Sequence, residues 1–415
     1  MNDGLITVAA LSPKLRVADP AYNSSEIIAG IEEAVKRDVS LLVLPELATT
    51  ASTCGDLFYS STLINASNES VEAIVRSTQH KQIIVVFGAP VAVGSSLYNC
   101  AIVAFDGDIL AVVPKKDARS PFSSYEGEVL SVELFGTYTY FGQALHITPP
   151  LLPNFTLSVE VGAIKDTSQS SATIIANPIS SAELIGRGSN ARLLAQALTL
   201  QTATALIQAN SGEGESTTDS VYLADGFIAE RGKILAESDG VSGQLVIGQI
   251  DLEQLIHQRR LEGGYPLYEE EYVDVPCDLE VTPGTLIREI KKAPFVPEDL
   301  EGRCEEVLTL QALGLKKRLE HTQLERVIIG LSGGLDSTVA LLAIVRTFDL
   351  LGLDRGGVIA VSMPGFGSTT RTKSNAEKLA LALGVSFWTI PIEAAVSQHF
   401  KDIDHDPNVL DITYE

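Results

Sequence analysis

Three short stretches of the chain are apolar almost throughout: Ile-Thr-Val-Ala-Ala-Leu at 6–11, Leu-Leu-Val-Leu at 41–44 and Ile-Ile-Val-Val-Phe at 83–87. A strand with one wet face alternates apolar and polar residues, so runs like these belong to strands covered on both sides. The chain must therefore build layers, with helices or a second sheet on each face. Between the first two runs, Ile27, Ile28, Ile31, Ala34 and Val35 recur with helical spacing, with Ser24 or Ser25 placed to cap the start. Val71, Ile74 and Val75 mark a second helix. Strands are further expected at 101–105, 157–164, 173–176 and 206–209, with a helix over 191–204 between the last two. These elements compose an α/β domain over 1–262.

At 415 residues the chain exceeds what one core usually organises, so a second domain is expected. The stretch 263–297 has weak periodicity, several prolines and the acidic run Glu269, Glu270, Glu271, and reads as a solvated linker with room for one short strand. Beyond it, Cys304, Leu308, Ala312, Leu315 and Leu319 fall close to one helical face. A strand at 327–331, a helix over 338–348, a strand at 358–362, a helix over 373–383 and a strand at 386–390 follow. That alternation begins a doubly wound parallel sheet over 298–415. The stretch is short for such a sheet, and an incomplete domain is expected.

Charge and composition exclude several classes. With 53 acidic against 30 basic residues the formal charge is −23, which repels phosphate backbones and anionic bilayers, so neither nucleic acid nor membrane is an expected partner. Cys54, Cys100, Cys277 and Cys304 stand far apart and make neither a disulfide framework nor a zinc knuckle. The first residues lack a basic region before an apolar run, and no apolar stretch approaches the roughly 18 residues that span a bilayer. A cytoplasmic protein is expected.

Gly330, Leu331, Ser332, Gly333, Gly334, Leu335, Asp336 and Ser337 lie between a strand and a helix. Glycines there let backbone N–H groups converge on an anion, and the helix N-terminus adds partial positive charge. Ser332 and Ser337 can donate to phosphate oxygens, and Asp336 can hold Mg2+. The Lys-Ser/Thr ending of a Walker A loop is absent. Gly330 to Gly334 also fits the G-x-S-x-G elbow of serine hydrolases, for which only His399 and His405 follow in the chain.

The Ser-Gly-Gly-Leu-Asp-Ser loop at 332–337, with Met363-Pro-Gly-Phe-Gly-Ser and His399-Phe-Lys-Asp-Ile-Asp, resembles the synthetase domain of the glutamine-dependent NAD synthetases. The first domain is similar to the nitrilase-type glutaminase of that family, so the resemblance covers the chain. It implies an αββα sandwich that releases ammonia from glutamine, followed by a parallel α/β domain with a pyrophosphate loop. There ATP and Mg2+ activate nicotinic acid adenine dinucleotide for amidation to NAD. Residues 330–337 would take the ATP phosphates and Met363 would lie against the adenine. Homo-oligomers are expected by the same resemblance.

Nitrilase-type hydrolysis needs a thiolate nucleophile, a carboxylate base and a cation beside the oxyanion. By resemblance Glu46, in Leu-Pro-Glu-Leu after a buried strand, is the base; Lys115 is the cation; and Glu126 keeps the spacing of the second glutamate. Ser181 and Arg187 match the residues that contact glutamine. The nucleophile position falls on Gly162, in Val-Glu-Val-Gly-Ala-Ile, where the family has a cysteine followed by Glu-Asp. Cys54 and Cys100 are poor replacements. The expectation is a family member whose glutaminase site has lost its thiol, either an ammonia-using ligase or a silent paralogue acting as an assembly scaffold. A serine hydrolase built on Ser332 is the remaining alternative.

Overall fold

The computed structural model describes residues 4–164, 171–263, 272–281, 284–365, 370–409 and 411–412. The chain forms two compact units, Met1–Glu289 and Ile290–Glu415. The first unit begins with β1 (Leu5–Leu11), α1 (Pro20–Lys36), β2 (Leu41–Val43), α2 (Ser61–Ser77), β3 (Ile84–Val93), β4 (Ser96–Phe105) and β5 (Asp108–Pro114). It continues with β6 (Leu130–Leu134), β7 (Thr137–Phe141), β8 (Leu145–Thr148), β9 (Leu157–Val159) and β10 (Ile174–Ile179). Then come α3 (Arg187–Thr202), β11 (Ala205–Asn210), β12 (Phe227–Glu230), β13 (Lys233–Glu237), β14 (Leu245–Asp251), α4 (Leu252–Glu262) and β15 (Val273–Pro276).

Among the described residues these strands make an eight-stranded sheet, β14-β1-β2-β3-β4-β5-β7-β6, and a seven-stranded one, β13-β12-β11-β10-β9-β8-β15. The unbroken apolar runs have a simple cause. Val8, Ala10, Leu41, Val43, Ile84 and Val86 face the second sheet, where Ile174, Ala176, Ala205 and Ile207 meet them. Their alternates Ala9, Leu11, Leu42, Leu44, Val85 and Phe87 face outward and are covered by Ile27 and Ile31 of α1 and Val71 and Ile74 of α2. On the far side Ala195 of α3 packs on Ile175, Leu206, Phe227 and Ala229. The result is the expected four-layer α-β-β-α sandwich. Each of the Val, Leu, Ile and Phe side chains among them, fully buried, stabilises the fold by about 1.5–3 kcal/mol.

Several local expectations shift. Helix α1 starts at Pro20, capped by Asp19, whose carboxylate accepts the Tyr22 N–H at 3.1 Å; Ser24 and Ser25 lie inside it and donate to Ala21 O and Tyr22 O. An acidic cap followed by proline outranks a serine already one turn into the helix. The strand expected over 157–164 ends at Val159, although Glu160 and Gly162 still donate their N–H groups to Ala176 O and Pro178 O at 2.9 Å. The stretch read as linker supplies β15, which pairs in parallel with β8. Near its end, Gln249 Oε1 accepts the Ile287 and Arg288 N–H groups at 2.9 and 3.1 Å, and the Arg288 guanidinium pairs with buried Glu230. These contacts explain why the first compact unit reaches Glu289. The acidic run at 269–271 lies outside the described residues.

The second unit contains α5 (Leu300–Thr322), β16 (Val327–Gly330), α6 (Leu335–Leu351), β17 (Val358–Ser362), α7 (Thr370–Leu383), β18 (Ser386–Thr389) and α8 (Glu393–Asp402). Its three described strands form a parallel sheet in the order β16-β17-β18. Leu331, Leu341, Val345, Phe348, Val358 and Ala360 make its core. Ala312 and Leu319 of α5 are buried as the helical pattern predicts, whereas Cys304 at the start of α5 is exposed.

One glycine decides where Glu46 sits. Gly88 of β3 donates its N–H to Pro45 O at 3.0 Å and accepts the Thr49 N–H at 3.2 Å. A Cβ on Gly88 would stand 2.1 Å from Leu47 N and 2.5 Å from Glu46 Cα. Because the clash is with backbone, Gly88→Ala must push the 45–47 turn off the sheet, at a cost of about 1–3 kcal/mol. Thermal unfolding is expected to show a midpoint lower by several degrees.

His146 on β8 is 3% exposed and stacks on Tyr272 at 4.0 Å between ring centroids. Its Nδ1 is 3.9 Å from Asp274 Oδ1, and its buried Nε2 has no partner. Burial pushes the imidazole down from 6.5 to about 4, only partly opposed by Asp274. The folded protein thus holds His146 neutral while the unfolded chain protonates it near 6.5, so stability present above that pH is lost as pH falls toward 4. The loss amounts to about 3 kcal/mol when complete. His146→Phe, which keeps the stacking, is expected to lower the melting temperature less than the parent between about pH 7 and about pH 5.

Candidate active site

Glu46 follows β2 and is 3% exposed. A carboxylate removed from water must be paired and fully hydrogen-bonded, and this one is. Lys115 Nζ donates to both of its oxygens, at 2.9 and 2.7 Å; Asn99 Nδ2 donates to Oε2 at 2.6 Å; and the Ser180 N–H donates to Oε1 at 3.1 Å. Asn99 and Lys115 come from β4 and the end of β5, joined by a bond from Lys115 N–H to Asn99 O at 2.8 Å. Ser180 follows β10, in the other sheet. A lysine after a proline, usually a solvated residue, is here an internal counter-ion.

Gly162 completes the group. Its φ is +92°, a region that favours glycine, and its carbonyl accepts from Asn177 Nδ2 at 2.8 Å. A Cβ there would meet Lys115 Cε at 2.7 Å, Lys115 Nζ at 2.9 Å and Glu46 Oε1 at 3.5 Å. The lysine ammonium therefore stands where a side chain at 162 would go. Glu160, two residues earlier, has its carboxyl pushed up to about 7 by burial, with Lys116 pulling the other way.

Glu46, Lys115, Gly162, Asn177 and Ser180 line a cavity of about 670 Å³. Glu46, Lys115 and Gly162 form one end; Ser181, Arg187 and Asp225 lie further along, with apolar Leu194 and Leu198 from α3. Arg187 Nη1 donates to Ser181 Oγ at 3.0 Å and also to Ala182 O. Asn210 holds the Ser181 backbone from both sides, accepting its N–H at 2.9 Å and donating to its carbonyl at 3.2 Å. Asp225 is gripped by Arg192 at 2.6 and 3.2 Å. The fold thus brings Glu46, Lys115, Gly162, Ser181 and Arg187 to one chamber. It does not bring Glu126 there: that residue is exposed beside Tyr125, whose ring packs on Phe141 and whose carbonyl is held by Gln143 Nε2 at 2.8 Å.

Neither replacement cysteine is poised as a thiolate. Burial pushes Cys54 up to about 11, and its Sγ–H is used on Thr50 O at 3.1 Å; Cys100 is fully buried in β4 and raised well above its ordinary value. Asn99 and Ser180 escaped the sequence reading, because a lone polar residue within or just after a strand carries no pattern of its own. Only their bonds to Glu46 reveal them.

In the second unit Ser332, Gly334, Leu335 and Asp336 are exposed at the start of α6. Gly333 has φ +82°, and Ser332 Oγ is 3.1 Å from Ser337 Oγ and accepts the Gly334 N–H at 3.2 Å. Those partners, with His405 pairing to Asp411 at 3.0 Å, give Ser332 none of the histidine contact that a serine nucleophile needs. Met363, half exposed, approaches the same loop: a Cβ on Gly330 would touch its Cε at 3.4 Å. Residues 366–368 of that motif lie outside the described residues. Among the described residues no cluster of three or more His, Cys, Asp or Glu is placed to hold a metal ion, and no helix is long and apolar enough to cross a membrane.

Residues 5–260 match the carbon–nitrogen hydrolase family and residues 307–413 the NAD synthase family. The glutamine-dependent NAD(+) synthetase of Mycobacterium tuberculosis (strain ATCC 25618 / H37Rv) is 31% identical over 448 residues, covering 99% of this chain and 66% of that protein. Its counterpart in Mycobacterium leprae is 30% identical, covering 100% and 65%. A crystal structure of a glutamine-dependent NAD(+) synthetase from Cytophaga hutchinsonii shares the fold, with TM-score 0.54 at 17% identity over 99% of this chain and 70% of that one. The chain spans about two thirds of the length of these curated relatives. It belongs to the carbon–nitrogen hydrolase family and is a relative of the glutamine-dependent NAD(+) synthetases.

Proposed function

We propose that this chain amidates nicotinic acid adenine dinucleotide to NAD with ATP and free ammonia, and that its first-unit cavity admits glutamine without cleaving it through a thioester. The observation behind the second part is Gly162. In the chamber where Glu46 and Lys115 meet, position 162 has no side chain, and the lysine has closed onto the space. A thioester needs a sulfur at that point, and Cys54 and Cys100 are both spent elsewhere. Ser181 and Arg187 remain placed to receive an amino-acid ligand beside the ion pair.

In the second unit, the chemistry of residues 330–337 suits a polyphosphate. Gly333 supplies the left-handed turn, Ser332 and Ser337 supply hydroxyl donors, and the 17-residue α6 points its N-terminus at the loop. Asp336, an exposed carboxylate in the first turn of that helix, would hold Mg2+, and Met363 would lie against the adenine. Magnesium-bound ATP supplies the leaving group that makes the substrate carboxylate reactive toward ammonia. Self-association of the first unit belongs to the same proposal, by resemblance to the family.

The test is NAD formation from nicotinic acid adenine dinucleotide and magnesium-ATP with either ammonium or glutamine as nitrogen source. Ammonium is expected to work and glutamine to fail. NAD from glutamine would overturn the reading of Gly162, and no NAD from either source would leave the silent scaffold. A second expectation concerns Gly162→Cys. Its Cβ collides only with the flexible end of Lys115, and the positive φ costs about 1–2 kcal/mol. The variant is expected to release ammonia from glutamine where the parent does not, read as glutamate produced over time.

A further inference from the structure

A second buried carboxylate lies behind the cavity. Glu215 is 6% exposed, in the loop that follows β11. It accepts the Ser52 N–H at 2.8 and 3.0 Å, the Thr53 N–H at 3.0 Å and the Thr53 hydroxyl at 2.6 Å. Thr53 Oγ1 in turn accepts the Ser216 N–H at 2.8 Å, so the loops after β2 and β11 are locked together. The lock leads back to the site: Ser180 donates its hydroxyl to Ser52 Oγ at 2.6 Å, and the Ser180 N–H donates to Glu46 Oε1 at 3.1 Å. Tyr222 bonds to the same Ser52, and burial together with the nearby Glu215 and Glu46 charges keeps its phenol protonated.

We propose that Glu215 is a positioning residue of this cavity, acting through Ser52 and Ser180 to fix the oxygen of Glu46 that faces position 162. It does not itself line the chamber. A carboxylate suits the place, because each group that hydrogen-bonds to it is a donor. A glutamine amide would offer one acceptor oxygen and turn an NH2 toward N–H groups. Losing the carboxylate frees the 52–53 turn, Ser52 no longer fixes Ser180, and Glu46 loses the donor that links it to the second sheet. The inference rests on the cavity being an amide-ligand pocket, as proposed above.

The experiment measures L-glutamine binding to the full chain by calorimetry, for the parent, Glu215→Gln, Ser52→Ala and the double variant. Glu215→Gln is expected to weaken binding about tenfold, the worth of one well-placed hydrogen bond. Ser52→Ala, which leaves the Glu215 backbone bonds in place, is expected to weaken it in the same direction. The double variant should be no worse than Glu215→Gln alone, since both act along one chain. Unchanged binding in the single variants, or additive losses in the double, overturns the proposal. If Glu215→Gln does not fold, Ser52→Ala decides: weaker binding supports the proposal and unchanged binding overturns it. If the parent does not bind glutamine, the amide-pocket reading fails by itself. Positioning is then read from the pH profile of iodoacetamide alkylation of Gly162→Cys. A midpoint moved by adding Ser52→Ala supports the chain through Ser52, and superimposable profiles overturn it.

Discussion

A carboxylate that folding takes out of water must be given a cation and a full set of donors, or it will not remain charged. Glu46 meets that demand with groups from three places in the chain: Lys115 after β5, Asn99 in β4 and the Ser180 N–H after β10. Two of these lie in the sheet that carries Glu46 and one in the other. The bonded carboxylate, through Lys115 and the Ser180 N–H together, therefore ties the strand ends of both sheets to one point, and Gly88 admits the Pro45–Glu46 turn close enough for this to happen. The cavity, its polar end and the lock through Glu215 all follow from that placement.

The consequence for chemistry lies at Gly162. A left-handed backbone turn brings this residue against Lys115 and Glu46, so the lysine occupies the space that a side chain at 162 would need. With hydrogen in place of a side chain, the ammonium settles into the space and is neutralised by Glu46. The chamber keeps the Glu46–Lys115 pair and carries no side chain at 162. This local pattern is compatible with an overall charge of −23, because lysine and arginine are needed only where they face the chamber.

The layered fold was legible because its central strands are buried on both faces, so β2 and β3 are apolar throughout and β1, β10 and β11 nearly so. Strands such as β6, β7 and β13 were not, since they are short, half-exposed and mixed in composition. The contacts made beyond the first domain were equally hard to read. Strand β15 and the Arg288–Glu230 pair attach the stretch after α4 to the sandwich, and neither leaves a periodic trace. Within the site, Glu46 and Lys115 stood out only in company with longer motifs, and Glu126 shows that correct spacing does not ensure convergence.

What the sequence by itself determined is the layering, the glycine-rich loop ahead of α6 and the absence of a thiol at 162. Each is a property of contiguous residues, written in periodicity, local turn chemistry or side-chain identity. Tertiary structure alone decided that Lys115 is buried against Glu46, that Asn99 and Ser180 complete the carboxylate's bonds, and that Glu215 anchors the turn behind them. These partners are separated by 53 to 163 positions along the chain. No local pattern can encode a bond whose two ends meet only after the sheets have packed.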